Sequence, residues 1–151
     1  MKLTMLLADA AQAMQGKLYI LGGGWSITGP QPTPSAIAIK IDVPWDQSNR
    51  VHTLRLDLLD EDGHPIMVPT PMGERPMQIN SRFEVGRPVG LIPGADLDVA
   101  LAINIAPLPL APGARYVWRC FINDDSQEGW EVRFSTRPAA EHTGPSNHPT
   151  Q

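Results

Sequence analysis

The stretch from Ala114 to Phe134, ARYVWRCFINDDSQEGWEVRF, decides the fold because it has the pattern of a β-hairpin. Inward and outward side chains alternate along both arms, which is the period of two of a half-buried antiparallel strand. The inward side chains are those of Tyr116, Trp118, Cys120 and Ile122 in the first arm and of Trp130, Val132 and Phe134 in the second. The polar run 123–126 tolerates turn dihedrals, so the chain can reverse there. The sequence therefore predicts two paired strands with a shared core face.

The same reasoning extends outward to most of the chain. It assigns strands to the segments 2–8, 17–28, 35–43, 51–60, 64–68, 76–85 and 95–105. Segments rich in Pro and Gly separate them, and no long helical pattern occurs. About nine such strands indicate an all-β protein, namely a two-layer antiparallel β-sandwich that is immunoglobulin-like or a related Greek key. The Cys…Trp…Cys spacing of an antibody domain is absent, so the exact topology stays open.

The segments between the strands carry predictions of their own. The run 9–14 predicts one helical turn that ends before Gly16. The segment 68–75, with two prolines and a glycine, predicts a surface loop, and 86–94 predicts a long loop that crosses between the sheets. Residues 1–137 then form one β-sandwich domain. Residues 138–151 have almost no large apolar side chain to bury, which predicts a disordered tail.

Composition excludes several classes of function. The formal net charge of -4 in 151 residues argues against a nucleic-acid binder, because phosphate neutralisation needs a concentrated excess of Lys and Arg. No apolar run approaches the roughly 20 residues of a membrane span. The N-terminus resembles a signal peptide, but its apolar segment ends at Asp9, short of a full hydrophobic region. The single Cys120 allows no intramolecular disulfide and is expected to be a small buried hydrophobe. We expect a cytoplasmic protein.

No pattern of residues indicates catalysis or a cofactor. The glycines at 22–24 lack the residues that a phosphate-binding loop requires, so they predict a bulge or a close backbone approach. None of the four His residues, at 52, 64, 142 and 148, has metal-ligand spacing, and no nucleophile motif occurs. The acidic turns 60–62 and 124–125 are the candidates for calcium, although acidic residues are also normal in turns. We therefore expect neither a catalytic residue nor a metal or cofactor site.

Two tryptophans are the candidate contact residues for a ligand or partner. Trp25 and Trp45 both adjoin Gly- or Pro-rich loops rather than the centre of a strand. Exposed together, they could stack on a sugar ring or anchor a partner protein, whereas buried they would plug the ends of the sandwich. The small outward side chains of Ala100 and Ala102 indicate that one sheet face is covered, by a neighbouring molecule or by the N-terminal segment.

Two runs resemble a family of small bacterial proteins, mainly actinobacterial, of unknown function. They are LADAAQAMQGKLYILGGGW, at 7–25, and LAINIAPLPLAPGARYVWR, at 101–119, and the resemblance covers nearly all of residues 1–137. It implies a stand-alone domain without a signal peptide and brings no catalytic residues. The leading hypothesis is a non-enzymatic module for protein interaction or self-assembly, followed by a carbohydrate- or calcium-binding module and then by a small enzyme.

Overall fold

The computed structural model describes residues 1–140 of the chain. One 3-10 turn, Trp45–Gln47, accompanies twelve strands in this part. The strands are β1 (Lys2–Ala8), β2 (Ala10–Met14), β3 (Lys17–Leu21), β4 (Ile27–Thr28), β5 (Ser35–Val43), β6 (Val51–Asp60), β7 (Met67–Thr70), β8 (Gly73–Pro76), β9 (Gln78–Glu84), β10 (Leu97–Ile105), β11 (Arg115–Ile122) and β12 (Glu131–Thr136). Residues 1–140 contain no helix long and apolar enough to cross a membrane.

Two main sheets pack face to face, which confirms the predicted sandwich. The three-stranded sheet has the order β1-β5-β10, and the five-stranded sheet has the order β4-β12-β11-β6-β9. All their strand pairs are antiparallel except β4 with β12. The predicted hairpin is present as β11 and β12, with Tyr116 opposite Phe134 and Trp118 opposite Val132.

The strand order is that of an immunoglobulin-like sandwich. The strands β1, β5 and β10 correspond to A, B and E of that fold, and β6, β11 and β12 correspond to C, F and G. The strand β9 corresponds to C′ and pairs with β6. The strand β4 pairs in parallel with β12, in the sheet opposite the one that contains β1. A strand D beside β10 is absent from the described residues. The predicted Greek-key sandwich is thus confirmed, with one strand fewer in the three-stranded sheet.

The core lies between the two main sheets and follows the predicted alternation. Its fully buried side chains include Ile37, Ile39, Ile41 and Val43 of β5, Leu54, Leu56 and Leu58 of β6, and Trp118 and Cys120 of β11. Because β5 and β11 each have a neighbouring strand on both sides, their inward side chains are shielded from water. Burial of each such Leu or Ile contributes about 1.5–3 kcal/mol relative to exposure.

A second, smaller cluster lies on the outer face of the three-stranded sheet. The strands β2 and β3 form a hairpin there, and Ala11 of β2 packs with Ala8, Ala36 and Ala38. Ala102 joins this cluster from β10. The N-terminal segment therefore covers this face at Ala102, which was one of the two predicted explanations for its small side chain.

Three local predictions were wrong. Residues 10–14 form β2 rather than a helical turn, because packing of Ala11 against the sheet outweighs the helix propensity of an Ala-rich run. Within the segment 68–75, predicted as a loop, β7 and β8 pair as a hairpin with Val68 opposite Arg75. The prolines of this segment are compatible with a hairpin because both strands are short edge strands. The segment 17–28, predicted as one strand, forms β3 and β4 in two different sheets. The strands β2, β4 and β8 account for the difference between about nine and twelve strands. The predicted tail lies outside the described residues from 141 onward.

Candidate functional site

Three loops meet at one end of the sandwich. The strands β5, β9 and β11 run in the same direction, because β6 is antiparallel to both β9 and β11 and follows β5 through a short connection. The segments 44–50, 85–96 and 123–129 that follow these strands therefore lie together, and we call them the loop end. In immunoglobulin variable domains, the loops clustered at one end of the sandwich form the antigen-binding site.

His52 joins two of these loops from inside the protein. Its side chain is buried and stacks on Phe83, with ring centroids 5.1 Å apart. The Nε2 atom donates to the carbonyl oxygen of Gln47 at 2.8 Å, which leaves Nδ1 to accept from the amide of Asn123 at 2.9 Å. The Oδ1 atom of Asn123 accepts the backbone N–H of Thr53 at 3.0 Å. With Nε2 as donor and Nδ1 as acceptor, the ring of His52 links the segments 44–50 and 123–129.

Arg87 fastens the third loop. Its guanidinium lies 4.4 Å from the centroid of the Trp45 ring, a cation–π contact. Its Nε donates to Ser48 Oγ at 2.7 Å, and its Nη2 donates to the carbonyl oxygen of Trp45 at 2.8 Å. The backbone N–H of Asn49 also donates to the carbonyl oxygen of Val85 at 2.8 Å. Trp45 is half-buried and supports the loop end rather than projecting from it.

Beyond this fastened base, the segment 85–96 presents apolar side chains to solvent. Val89 and Ile92 retain 106% and 78% of their reference exposure, and Leu91 retains 40%. Gly90, at φ 95°, and Gly94, at φ 88°, let the chain turn tightly on either side of Leu91 and Ile92. Exposed apolar groups gathered on one loop are typical of an interaction surface.

Acidic residues outnumber basic ones around this apolar loop, since Arg50 and Arg87 are the basic residues of the three segments. Asp46, Asp96, Asp125 and Glu128 are exposed at the loop end, and within residues 1–140 none of them forms a salt bridge. Asp124 is paired with Arg55 at 3.2 Å. The loop end therefore combines an apolar projection with a negatively charged border.

Trp25 lies at the opposite end of the sandwich. Its ring meets Phe134 edge to face, with centroids 6.1 Å apart, and its Nε1 is buried without a hydrogen-bond partner among the described residues. With Leu108 and Leu110 it lines a cavity of about 30 Å³, room for one water molecule. The structure therefore does not bring Trp25 and Trp45 together, and each packs against the main core.

The two acidic turns that were candidates for calcium also lie at opposite ends. At the turn after β6, the carboxylate of Asp60 accepts the backbone N–H groups of His64 and Asp62, each at 2.9 Å, which lowers the pKa of Asp60. Ligand atoms of Asp60, Asp62 and His64 fall within 4.8 Å of one another. The carboxylate of Asp60 serves mainly to accept hydrogen bonds from the backbone of its own turn. The turn at 124–125 is too distant to complete a shared calcium site.

The outer face of the five-stranded sheet is charged but balanced. Arg119 and Arg133 both donate to the carboxylate of Glu131, and Arg55 donates to Asp57 at 3.0 Å. Burial raises the pKa of Glu131, but the hydrogen bonds from Arg133 and Arg119 outweigh it, so the pKa lies below its ordinary value. Arg55, Arg119 and Arg133 thus have acidic partners, and Arg82 of β9 is the exposed arginine of this face without a salt bridge within residues 1–140, so the face offers no concentrated positive charge.

Tyr116 has a structural role that the sequence did not predict, whereas Cys120 is buried as predicted. Tyr116 forms a tyrosine corner: its hydroxyl accepts the backbone N–H of Ala111 at 2.8 Å, five residues upstream. The tyrosine near the start of strand F and the preceding Pro112-Gly113 were a signal for this. Cys120 is fully buried as expected, and burial raises the pKa of its thiol to about 12.

The fold and the loop end define a single immunoglobulin-like β-sandwich with two inserted hairpins. The chain belongs to a family described as a family of unknown function (DUF6941), whose profile matches residues 3–135. A comparison with curated proteins finds no match.

Proposed function

We propose that the protein is a non-enzymatic protein-interaction module that binds its partner through the loop end, in a bacterial cytoplasm. The observation that carries the proposal is the exposure of Val89 and Ile92 on a loop whose base is held by Arg87 and Trp45. Exposing two large apolar side chains to water is unfavourable in the free protein, and a partner that covers them recovers that free energy.

The fixed base of the loop favours binding. Ordering a flexible loop on association costs free energy, and a loop already held in place avoids part of that cost. Here the contacts of His52, Asn123 and Arg87 hold the three segments together before any partner arrives. The arrangement resembles the antigen-binding end of a variable domain in physical principle, without implying the same ligand.

The chemistry of the loop end indicates the kind of partner. An apolar projection with an acidic border is complementary to an apolar recess bordered by Lys or Arg. An anionic membrane surface would instead be repelled by Asp46, Asp96, Asp125 and Glu128. We therefore favour a protein with a basic rim around an apolar pocket.

The alternative of a carbohydrate-binding module has less support. A sugar would stack on a free tryptophan face, but Arg87 occupies one face of Trp45, and the ring also packs against the core. Trp25 is half-buried and lines a pocket of about 30 Å³, room for about one water molecule. For calcium, the strongest group of ligands is Asp60, Asp62 and His64, whose central carboxylate is already bonded to two backbone N–H groups.

The proposal that the protein is not an enzyme is supported by the placement of His52 and of the single cysteine, Cys120. The His52 ring is hydrogen-bonded at both nitrogens and faces the interior. Cys120 lies in the core. Neither is placed to exchange a proton with a bound substrate.

Capture from native lysate tests the proposal when it compares three baits. The first is the wild-type protein, and the second carries Val89→Ser and Ile92→Ser. The third carries Met72→Ser, which changes an equally exposed apolar side chain at the turn of the β7–β8 hairpin, whose base lies beside Leu58 and not at the loop end. A captured protein is then purified and titrated against each bait by calorimetry.

The expected result is a partner whose binding weakens about 100-fold in the double variant, because losing two buried apolar side chains costs roughly 3 kcal/mol. Met72→Ser should bind like the wild type, and raising the salt concentration should weaken binding. A partner bound equally well by all three baits would refute the loop end as the binding surface. The absence of any partner that depends on Val89 and Ile92 would do the same.

A further inference from the structure

The edge of the three-stranded sheet at β10 is open. The strand pairs with β5 along its whole length, Leu97–Ile105, and forms no backbone hydrogen bond on its other side within residues 1–140. Alternate N–H and C=O groups of a nine-residue strand therefore point outward without a protein partner. An edge of this kind is a template for a further strand.

The facing sheet is wider than the one that ends at β10. The closest approach between the two main sheets is that of β1 to β12. Counting strands from that side places β5 over β11 and β10 over β6, since the sheets of a sandwich pack nearly aligned. Within residues 1–140, the strand β9 then has no strand above it. This vacant strand position lies beside β10 and above β9, where other immunoglobulin-like domains have strand D.

The side chains around this position are apolar and only partly covered. Leu101 and Ile103 of β10 and Ile79 of β9 point toward the core side of their sheets but are half-buried, whereas Ile37, Ile39 and Ile41 in the middle of the sandwich are fully buried. The strand β10 also has no Lys or Pro, the residues that block strand addition at many natural edges. The position thus offers both backbone hydrogen bonds and an apolar floor.

We propose that this position binds an extended segment of another protein by β-strand addition. The segment would hydrogen-bond to β10 and direct alternate apolar side chains toward Ile79, Leu101 and Ile103. Its other side chains would face outward beside Asp98 and Ala100. Asp98 and Asp42 share the single Lys40, so the net negative charge there favours a basic residue. This deepens the proposed role in protein interaction, but it uses a different surface from the loop end.

A second whole copy of the chain does not fit this position. If two β10 strands paired across a two-fold axis, each copy would bring its own five-stranded sheet toward the β9 of the other. The facing sheets would then occupy the same space, because β9 extends beyond β10 in each copy. An isolated strand has no such sheet behind it, which is why we commit to an extended segment.

Amide hydrogen exchange of the full chain with a synthetic peptide tests the proposal. The probe is the acetylated and amidated nine-residue peptide KVTVTVTVK, which alternates apolar and polar side chains and has basic ends. The control peptide has the same sequence with methyl groups on its interior backbone nitrogens, so it keeps the side chains and loses the donors. A matched pair of protein variants, Leu101→Lys at the β10 edge and Ile27→Lys on β4, tests the position.

The expected result is that alternate amides of β10, fast in the free protein, exchange at least ten-fold more slowly at saturating peptide. The methylated peptide and the Leu101→Lys variant should abolish this protection, and Ile27→Lys should keep it. No slowing of any β10 amide at millimolar peptide would overturn the proposal, and so would equal protection by the methylated peptide. Slowing of the same amides with protein concentration alone would show that a second copy binds there. None of these outcomes depends on Val89 or Ile92, so failure here is distinct from failure of the loop-end proposal.

Discussion

Replacing Tyr116 by Phe removes one hydroxyl and leaves the rest of its packing in place. The ring still stacks on Phe134, at a centroid distance of 5.5 Å, while the backbone N–H of Ala111 loses its acceptor at 2.8 Å. The carbonyl oxygen of Ala111 keeps a hydrogen bond from Thr136 Oγ1 at 2.7 Å. The longer hydrogen bond that the hydroxyl donates to the same carbonyl oxygen, at 3.4 Å, is also lost. The change therefore tests the contacts of this hydroxyl at the connection that leads into β11.

We expect the free energy of unfolding to fall by about 1–2 kcal/mol. A typical net hydrogen bond contributes about 1 kcal/mol, and an acceptor lost from a partly buried N–H adds to that cost. In a protein of this size each kcal/mol corresponds to roughly 2–4 °C, so the melting temperature should fall by about 2–8 °C.

The assay is urea unfolding followed by tryptophan fluorescence, since Trp118 is 1% exposed and reports on the core. The matched control is Tyr19→Phe on β3, where the ring is 52% exposed and its hydroxyl has no hydrogen-bond partner within residues 1–140. The control should stay within about 0.5 kcal/mol of the wild type. Equal stabilities of the two variants would refute the tyrosine corner as a stabilising contact.

Three further predictions follow from other parts of the molecule. Asn104→Ala should destabilise the protein by about 1–2 kcal/mol and speed amide exchange in β2, because the Asn104 amide donates to Ala11 O at 2.8 Å and accepts its N–H at 3.3 Å; unchanged exchange in β2 would contradict this. Cys120 should resist alkylation in the native protein and react only on unfolding, since its buried thiol has a pKa of about 12; labelling at neutral pH without unfolding would contradict it. The pKa of Asp60 is lower in the folded than in the unfolded protein, so the unfolded state binds more protons in acid and Asp60 contributes stability above its ordinary pKa of 3.8. That contribution should disappear as the pH falls through the folded pKa, and unfolding measured from pH 6 to pH 2.5 should show a smaller acid loss in Asp60→Ala; identical pH profiles would contradict it.

Much of the fold could be predicted because burial on one face imposes a period of two. Along β5, Ile37, Ile39 and Ile41 occupy alternate positions, and all three are fully buried. The β11–β12 hairpin was equally clear, since Asn123 and Asp124 accept the positive φ angles that its turn requires. Where side chains alternate and the turn residues agree, local sequence and tertiary packing favour the same structure.

The two missed hairpins are cases where local preference and packing disagree. The run Ala10–Met14 has high helix propensity, but its small side chains allow close approach to the sheet through Ala11. The turn that follows, Gln15-Gly16, has positive φ at both residues. From the sequence alone, the same glycine predicts the end of a helix. For β7 and β8, prolines masked an edge hairpin.

The candidate site could be predicted only in part. Trp45 was singled out from its place beside a loop, and it does lie at the loop end, although as support for Arg87. Its distance from Trp25 depends on which ends of which strands lie together, and alternation within a strand carries no such information. His52 appeared to have no partner because Asn123 lies 71 residues further along the chain. The exposure of Val89 and Ile92 likewise depends on how the loop leaves the sandwich.

Photo-crosslinking in the native cells tests the loop end as a binding surface most directly. A photoreactive amino acid is placed at Ile92 in one variant and, as the control, at the equally exposed Met72 in another. If the loop end is the binding surface, we expect a discrete adduct to a second protein from position 92 after irradiation, and no adduct of that mass from position 72. No adduct from position 92, or the same adducts from both positions, would contradict it.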